Sequence, residues 1–214
     1  IGFKFYPAMG YRPHGDEDAE VAARIDAFLD YCLKHDVPVF AHCTPEGFQT
    51  RERLGYYADP DHWRGALQSR RKLRLCLGHA GGGDVRPTAH ADSRGWGARK
   101  AGAWKAAGNY ASRVVALCRE YPNVYCELGY LLEMFDDDGP RRVMDCLERA
   151  MEGEAEHPFL QKVIYGSDWH MPSMGDRTRE YYEHFLRVFA DPRFSQGVDD
   201  FFWRNDYRFL NRAI

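Results

Sequence analysis

Three residues able to bind a metal or move a proton close three short apolar runs: His42 in PVFAHC, His79 in LCLGHAGG and Asp168 in IYGSDWHMP. A neutral imidazole and a carboxylate are natural ligands of Zn2+ or Mn2+, and a metal held with an open position brings its bound water to a pKa of ~7. A single histidine or aspartate more often packs or caps a helix. Three of them at corresponding places argue for chemistry, because parallel strands bring their C-terminal ends to one face, where such folds perform catalysis.

The elements that would position them alternate along the chain. Short runs of buried-strand type (2–6, 37–42, 73–79, 123–127 and 162–168) are separated by segments of helical period, the pattern of parallel strands joined by crossover helices. Val21, Ile25, Phe28, Leu29 and Cys32 form the apolar stripe of the first helix, and Asp16, Glu17 and Asp18 near its start suit the helix dipole. Later helices are expected around Ala66, Leu117, Leu147 and Phe185. By period two, Lys4 and Tyr6 share one face of the first strand and Phe3 and Phe5 the other. The cluster Asp136, Asp137, Asp138 before Gly139-Pro140 reads as a helix start. Residues 81–109 form an unusually long connection, and Arg94, Arg99, Lys100, Lys105 and Arg113 face no acidic residue between Ser93 and Cys118. That stretch reads as a solvated loop and helix face, or else as a lid that meets an anionic substrate.

With 214 residues, 44% hydrophobic and 14% aromatic, the chain suffices for one sizeable core, so one domain over 1–214 is expected. Its 29 basic and 32 acidic residues are mixed in sign, which excludes the one-sided basic surface of a nucleic-acid or anionic-lipid binder. No apolar run reaches the ~20 residues that cross a bilayer. Six cysteines in apolar segments without a C-x-x-C pair point to a reducing, cytoplasmic setting. A small-molecule partner follows.

In order, GFKFYPAMGYRP, PVFAHCTPEG, YADPDHWRGALQSRRKLRLCLGHAGG, NVYCELGY, VIYGSDWHMP and FFWRNDYRFLNR resemble the later strands of the amidohydrolase-related branch of the amidohydrolase superfamily. The resemblance spans nearly the whole chain, with G-S-D-W and L-x-x-x-H-x-G-G the most distinctive motifs. It implies an α/β fold, a (β/α)8 TIM-barrel-like metal-dependent hydrolase in which the units of strands 4 to 8 are recognisable. It makes His42 the fifth-strand metal ligand, His79 the sixth-strand ligand or acid/base, and Asp168 the eighth-strand ligand that takes a proton from the attacking water. Zn is the expected metal, with Mn the alternative. Lys4 falls where some relatives carry a carboxylated lysine, though a hydrogen-bonding or substrate-binding lysine is the plainer reading. Tyr6, Arg12 and His170 complete the expected substrate-binding set; Arg12 is suited to a bidentate clamp on a substrate carboxylate, although a surface arginine is the safer reading. His14, His35, His62, His90, His157 and His184 are read as structural.

The departure is the family's first-strand H-x-H pair, which none of the nine histidines supplies. The first three strand-helix units are therefore expected to precede Ile1, in about a hundred or more residues, since such barrels take ~250 residues. Five strands leave two open edges, which a neighbouring polypeptide or a homo-oligomer would have to cover. The expected function is hydrolysis of a small, carboxylate-bearing ester, lactone or amide by metal-activated water. The alternatives are non-oxidative decarboxylation of an unsaturated or aromatic acid on the same site, or a non-catalytic truncated barrel serving as a binding or assembly module.

Overall fold

The computed structural model describes residues 2–52, 54–82 and 95–211. Five strands form one parallel sheet in chain order: β1 (Phe3–Phe5), β2 (Val39–His42), β3 (Leu75–Gly78), β4 (Val124–Leu128) and β5 (Val163–Tyr165). All five lie inside the expected apolar runs, apart from one added residue at Leu128. The strands are shorter than those runs because the chain stays buried after it leaves the ladder, as at Leu73 before β3.

The connecting helices follow their sequence signals. Helix α1 (Ala19–Lys34) is capped by Asp18, whose side chain accepts from the Glu20 and Val21 N–H groups, and it buries Leu29 and Cys32. Helix α2 (Pro60–Ser69) places Pro60 in its first turn, where no N–H is needed, behind the Asp59 cap. A short helix α3 (Ala101–Trp104) precedes α4 (Tyr110–Glu120), which Asn109 caps. Helix α5 (Gly139–Met151) starts where the aspartate cluster predicts, but Asp138 makes no side-chain cap bond. It is drawn instead to Arg99, Arg141 and Arg142. After β5 come α6 (His170–Ser173), α7 (Thr178–Ala190), a π-helical turn (Asp200–Arg204) and α8 (Asn205–Phe209).

The sheet separates two environments by period two. One face carries Phe5, Val39, Ala41, Leu75, Leu77, Val124, Cys126, Leu128 and Val163, which pack with the helices into the main core. Burying each of the larger ones contributes roughly 1.5–3 kcal/mol. The opposite face carries register-matched rows: Lys4, Phe40, Cys76 and Tyr125, then His42, Gly78, Glu127 and Ile164. Only a small cluster of Cys76, Tyr125, Ile164 and Phe209, with Phe40 beside it, closes this face below. The expected split of β1 holds, since Phe3 and Phe5 both meet Phe28 of α1.

The long connection is less loop-like than its composition suggests. Trp96 is fully buried against Trp104 and Phe159, and Asn109 is buried as well. Arg99 pairs with Asp138, and Arg113 with Asp59 and Asp61, so these two cations belong to the scaffold. Ser93, Arg94 and His90 lie outside the described residues. All six cysteines are buried and free, and no described helix is long and apolar enough to cross a membrane.

Candidate active site

His42 ends β2 on the less apolar face, and only 3% of it is exposed. Its ring stacks on Tyr6, with centroids 4.2 Å apart and planes 12° apart. His42 Nε2 lies 2.8 Å from the Glu46 carbonyl, which can only accept, so Nε2 carries the proton. Gly47, at φ +96°, lets the loop close over this pair, because a Cβ there would stand 2.8 Å from Tyr6 Oη and 3.0 Å from His42 Cε1. Burial pushes the His42 pKa down to about 3, helped by the neighbouring His79 and opposed by the hydrogen bonds that the ring makes to the Glu46 and Thr44 backbone. The ring is therefore neutral over the physiological range.

His79 follows β3 directly, in a tight turn where His79 (φ 62°) and Ala80 (φ 45°) adopt left-handed backbone. Its ring stands edge-on to His42, 4.9 Å between centroids. Nδ1 donates to the Gly129 carbonyl at 2.9 Å, so Nε2 keeps its lone pair. Asp168 stands three residues past β5, exposed and also left-handed (φ 46°); the expectation that it ends the strand is corrected to a position on the following turn. Gly166 and Ser167 cannot continue a ladder whose neighbour β4 ends at Leu128.

Nevertheless His42, His79 and Asp168 line one cleft of about 750 Å3, with Lys4 and Tyr6 on its wall. Three of the seven described non-glycine residues at positive φ (His79, Tyr130 and Asp168) line this cleft. Such conformations cost about 1–3 kcal/mol each and concentrate at functional sites.

The sequence reading overlooked Glu127. This glutamate sits inside an otherwise apolar run, a weak signal by itself; it is the register that sets it on the same row as Gly78 and His42. It is only 8% exposed and lines the cleft. One carboxylate oxygen, Oε2, accepts the His79 backbone N–H at 3.2 Å. Burial pushes its pKa above the usual carboxylate range, against the pull of His79 and Lys4.

Lys4 lies at the sheet edge with its ammonium 4.3 Å above the Phe40 ring, and desolvation there holds its pKa below the usual lysine value. Tyr6 Oη accepts the Phe48 N–H at 3.1 Å. The other two expected substrate contacts are elsewhere. Arg12 is 2.8 Å from Glu17 and stacks on Tyr57, and His170 is exposed at the start of α6 beside Trp169. Neither is among the residues lining the cleft.

The donor types suit a divalent cation, with an open imidazole nitrogen at His79 and a carboxylate at Asp168. Their arrangement supplies part of a site. Among the described residues no three His, Cys, Asp or Glu side chains come close enough together to hold an ion, and His42 Nε2 is committed to the Glu46 carbonyl.

No curated protein matches the chain. Among solved structures it is similar to an amidohydrolase from Burkholderia multivorans with bound HEPES, at 17% identity and a TM-score of 0.58, covering 99% of this chain and 65% of that one. A second structure of an amidohydrolase from the same organism, with bound Zn, gives 15% identity and a TM-score of 0.57, covering 99% of this chain and 64% of that one. A TIM-barrel protein from Bordetella bronchiseptica shares 16% identity at a TM-score of 0.54, with 88% and 50% covered. The chain thus spans just under two thirds of the Burkholderia proteins, and its open sheet matches part of a TIM barrel. The amidohydrolase family profile matches residues 1–210, and the chain belongs to that family.

Proposed function

We propose that this chain carries the catalytic face of a metal-dependent hydrolase acting on a small ester, lactone or amide. The observation that carries the reading is the meeting of His42, His79 and Asp168 in one cleft beyond the C-terminal ends of parallel strands. The zinc in one Burkholderia neighbour supports a divalent metal, whose remaining ligands would come from outside the described residues. When bound, such an ion supplies a water that is acidic enough to react near neutral pH.

The chain's own groups have separable tasks. Asp168, exposed at the mouth, takes the proton from the attacking water. His79, its tautomer set by the Gly129 carbonyl, presents a bare Nε2 to the cleft, which can accept a proton from water or substrate or would ligate the metal. His42, kept neutral by burial, serves as a metal ligand once the loop at Glu46 releases its ring. A substrate carboxylate would meet Lys4, because Arg12 is already paired with Glu17. Aromatic acids that lose CO2 are the second reading, favoured by Tyr6, Phe40 and Phe48 on the same wall.

The test is turnover by the full polypeptide, stripped of metal and then reloaded with Zn2+ or Mn2+. Metal-dependent hydrolysis of p-nitrophenyl acetate or dihydrocoumarin supports the hydrolase. CO2 release from a hydroxybenzoate, with no ester or lactone cleavage, replaces it by the lyase. A metal-loaded protein inert in both assays would favour a binding module.

A further inference from the structure

The turn that delivers His79 is strained, and something must hold it. His79, Ala80 and Gly81 take positive φ in succession (62°, 45° and 73°), and two of the three are not glycine. Each such non-glycine residue is disfavoured against the right-handed alternative, because its Cβ crowds the following carbonyl oxygen. Four anchors oppose relaxation. The Ala80 carbonyl accepts the Trp96 indole N–H at 2.9 Å, and the Gly81 N–H donates to the Cys43 carbonyl at 2.8 Å. The ring is tied to Gly129 through Nδ1, and the His79 backbone N–H donates to Glu127 Oε2.

Three of these anchors are backbone groups or a distant indole. The Glu127 contact is a buried carboxylate with a place built for it. A Cβ on Gly129 or on Gly166 would overlap Glu127 Oε1, so the glycines directly beyond β4 and β5 clear the space that the carboxylate fills. Neither glycine is at positive φ, so the clearance accounts for their small size and backbone freedom does not.

We propose that Glu127 is a positioning residue: its carboxylate, admitted by Gly129 and Gly166, holds the His79 backbone in the left-handed turn that ties Nδ1 to Gly129 and leaves Nε2 open toward the cleft. It acts through His79 and touches no reacting atom. The proposal deepens the hydrolase reading, in which the bare His79 Nε2 accepts a proton or would ligate the metal. Its test does not depend on turnover, so the two can fail separately.

The test is the ring-nitrogen NMR of histidine-labelled full polypeptide, with the His79 signals assigned from a His79→Gln spectrum. Wild type should show two widely separated nitrogen shifts, a protonated Nδ1 and a bare Nε2. Glu127→Ala should collapse that separation as the ring samples both tautomers. Gly166→Ala should do the same by displacing the carboxylate while leaving it in the chain, and it decides the matter if Glu127→Ala fails to fold. Glu127→Gln, which keeps an oxygen acceptor for the His79 N–H, should restore the wild-type pattern. An unchanged separation in Glu127→Ala or Gly166→Ala would overturn the proposal, as would a Glu127→Gln protein that behaves like the alanine variant.

Discussion

The two faces of one sheet differ by a single step along each strand. On the helix-covered face Val39, Ala41, Leu75, Leu77, Val124 and Cys126 are fully buried and apolar. On the other, within the same strands, stand Phe40, His42, Cys76, Gly78, Tyr125 and Glu127. Side-chain alternation lets one backbone serve both. The first face holds the sheet to its helices by area removed from water. The second is buried too, apart from the half-buried Phe40, but it exchanges apolar side chains for polar groups, a glycine and strained turns, so the site is stabilised largely by what lies behind it.

The contrast can be broken most strongly from the core side. Leu77→Ala removes a fully buried side chain from the helix-covered face of β3 and should cost about 2–5 kcal/mol, read as a lower midpoint in denaturant. His42→Gln on the opposite face should cost far less at neutral pH; a loss as large as that of Leu77→Ala would mean that the site face is core as well.

A second effect belongs to the site face and depends on pH. The folded His42 pKa is depressed to about 3, so the unfolded chain binds a proton that the folded chain refuses between pH 6.5 and about 3. Stability contributed by neutral His42 is complete above pH 6.5 and is lost as pH falls through that window, at up to about 1.4 kcal/mol per pH unit. The difference in unfolding free energy between wild type and His42→Gln should therefore shrink from pH 6.5 downward. A difference independent of pH would show that the ring is charged in the fold.

The smallest effect is expected beneath the site. Asp206 of α8 has its pKa raised to about 6 by burial, with the Glu127 charge adding to it. A raised carboxylate stabilises only while protonated, so its contribution is full below pH 3.8 and is lost as pH rises through 6. Asp206→Asn should raise the melting temperature at pH 7 and leave it nearly unchanged at pH 4. Equal shifts at both pH values would place the cause elsewhere.

How much of this was legible in the sequence follows from the same two faces. The apolar runs and helix caps revealed the sheet, because continuous burial and capping chemistry leave local signatures, as Asp18, Asp59 and Asn109 illustrate. His42 and His79 were legible because each stands at the end of a ladder or directly beyond it. Glu127 was not, since an acid in an apolar run gains meaning only from the partners that register gives it, here His79 and two glycines. Arg12 misled for the complementary reason: its nearby acid Glu17 and the Tyr57 ring claim it before a substrate can. Trp96 likewise looked like part of an open loop, though its indole N–H is spent on Ala80.

The central claim is that this cleft performs chemistry, and Asp168→Asn in the full polypeptide tests it most directly, because Asp168 is exposed and none of the sheet's packing depends on it. With turnover and thermal melting measured on the same metal-loaded sample, the account predicts a fall in kcat of about 10²–10⁴-fold, the usual worth of a positioned proton acceptor, at an unchanged melting temperature. Wild-type turnover in Asp168→Asn would contradict it.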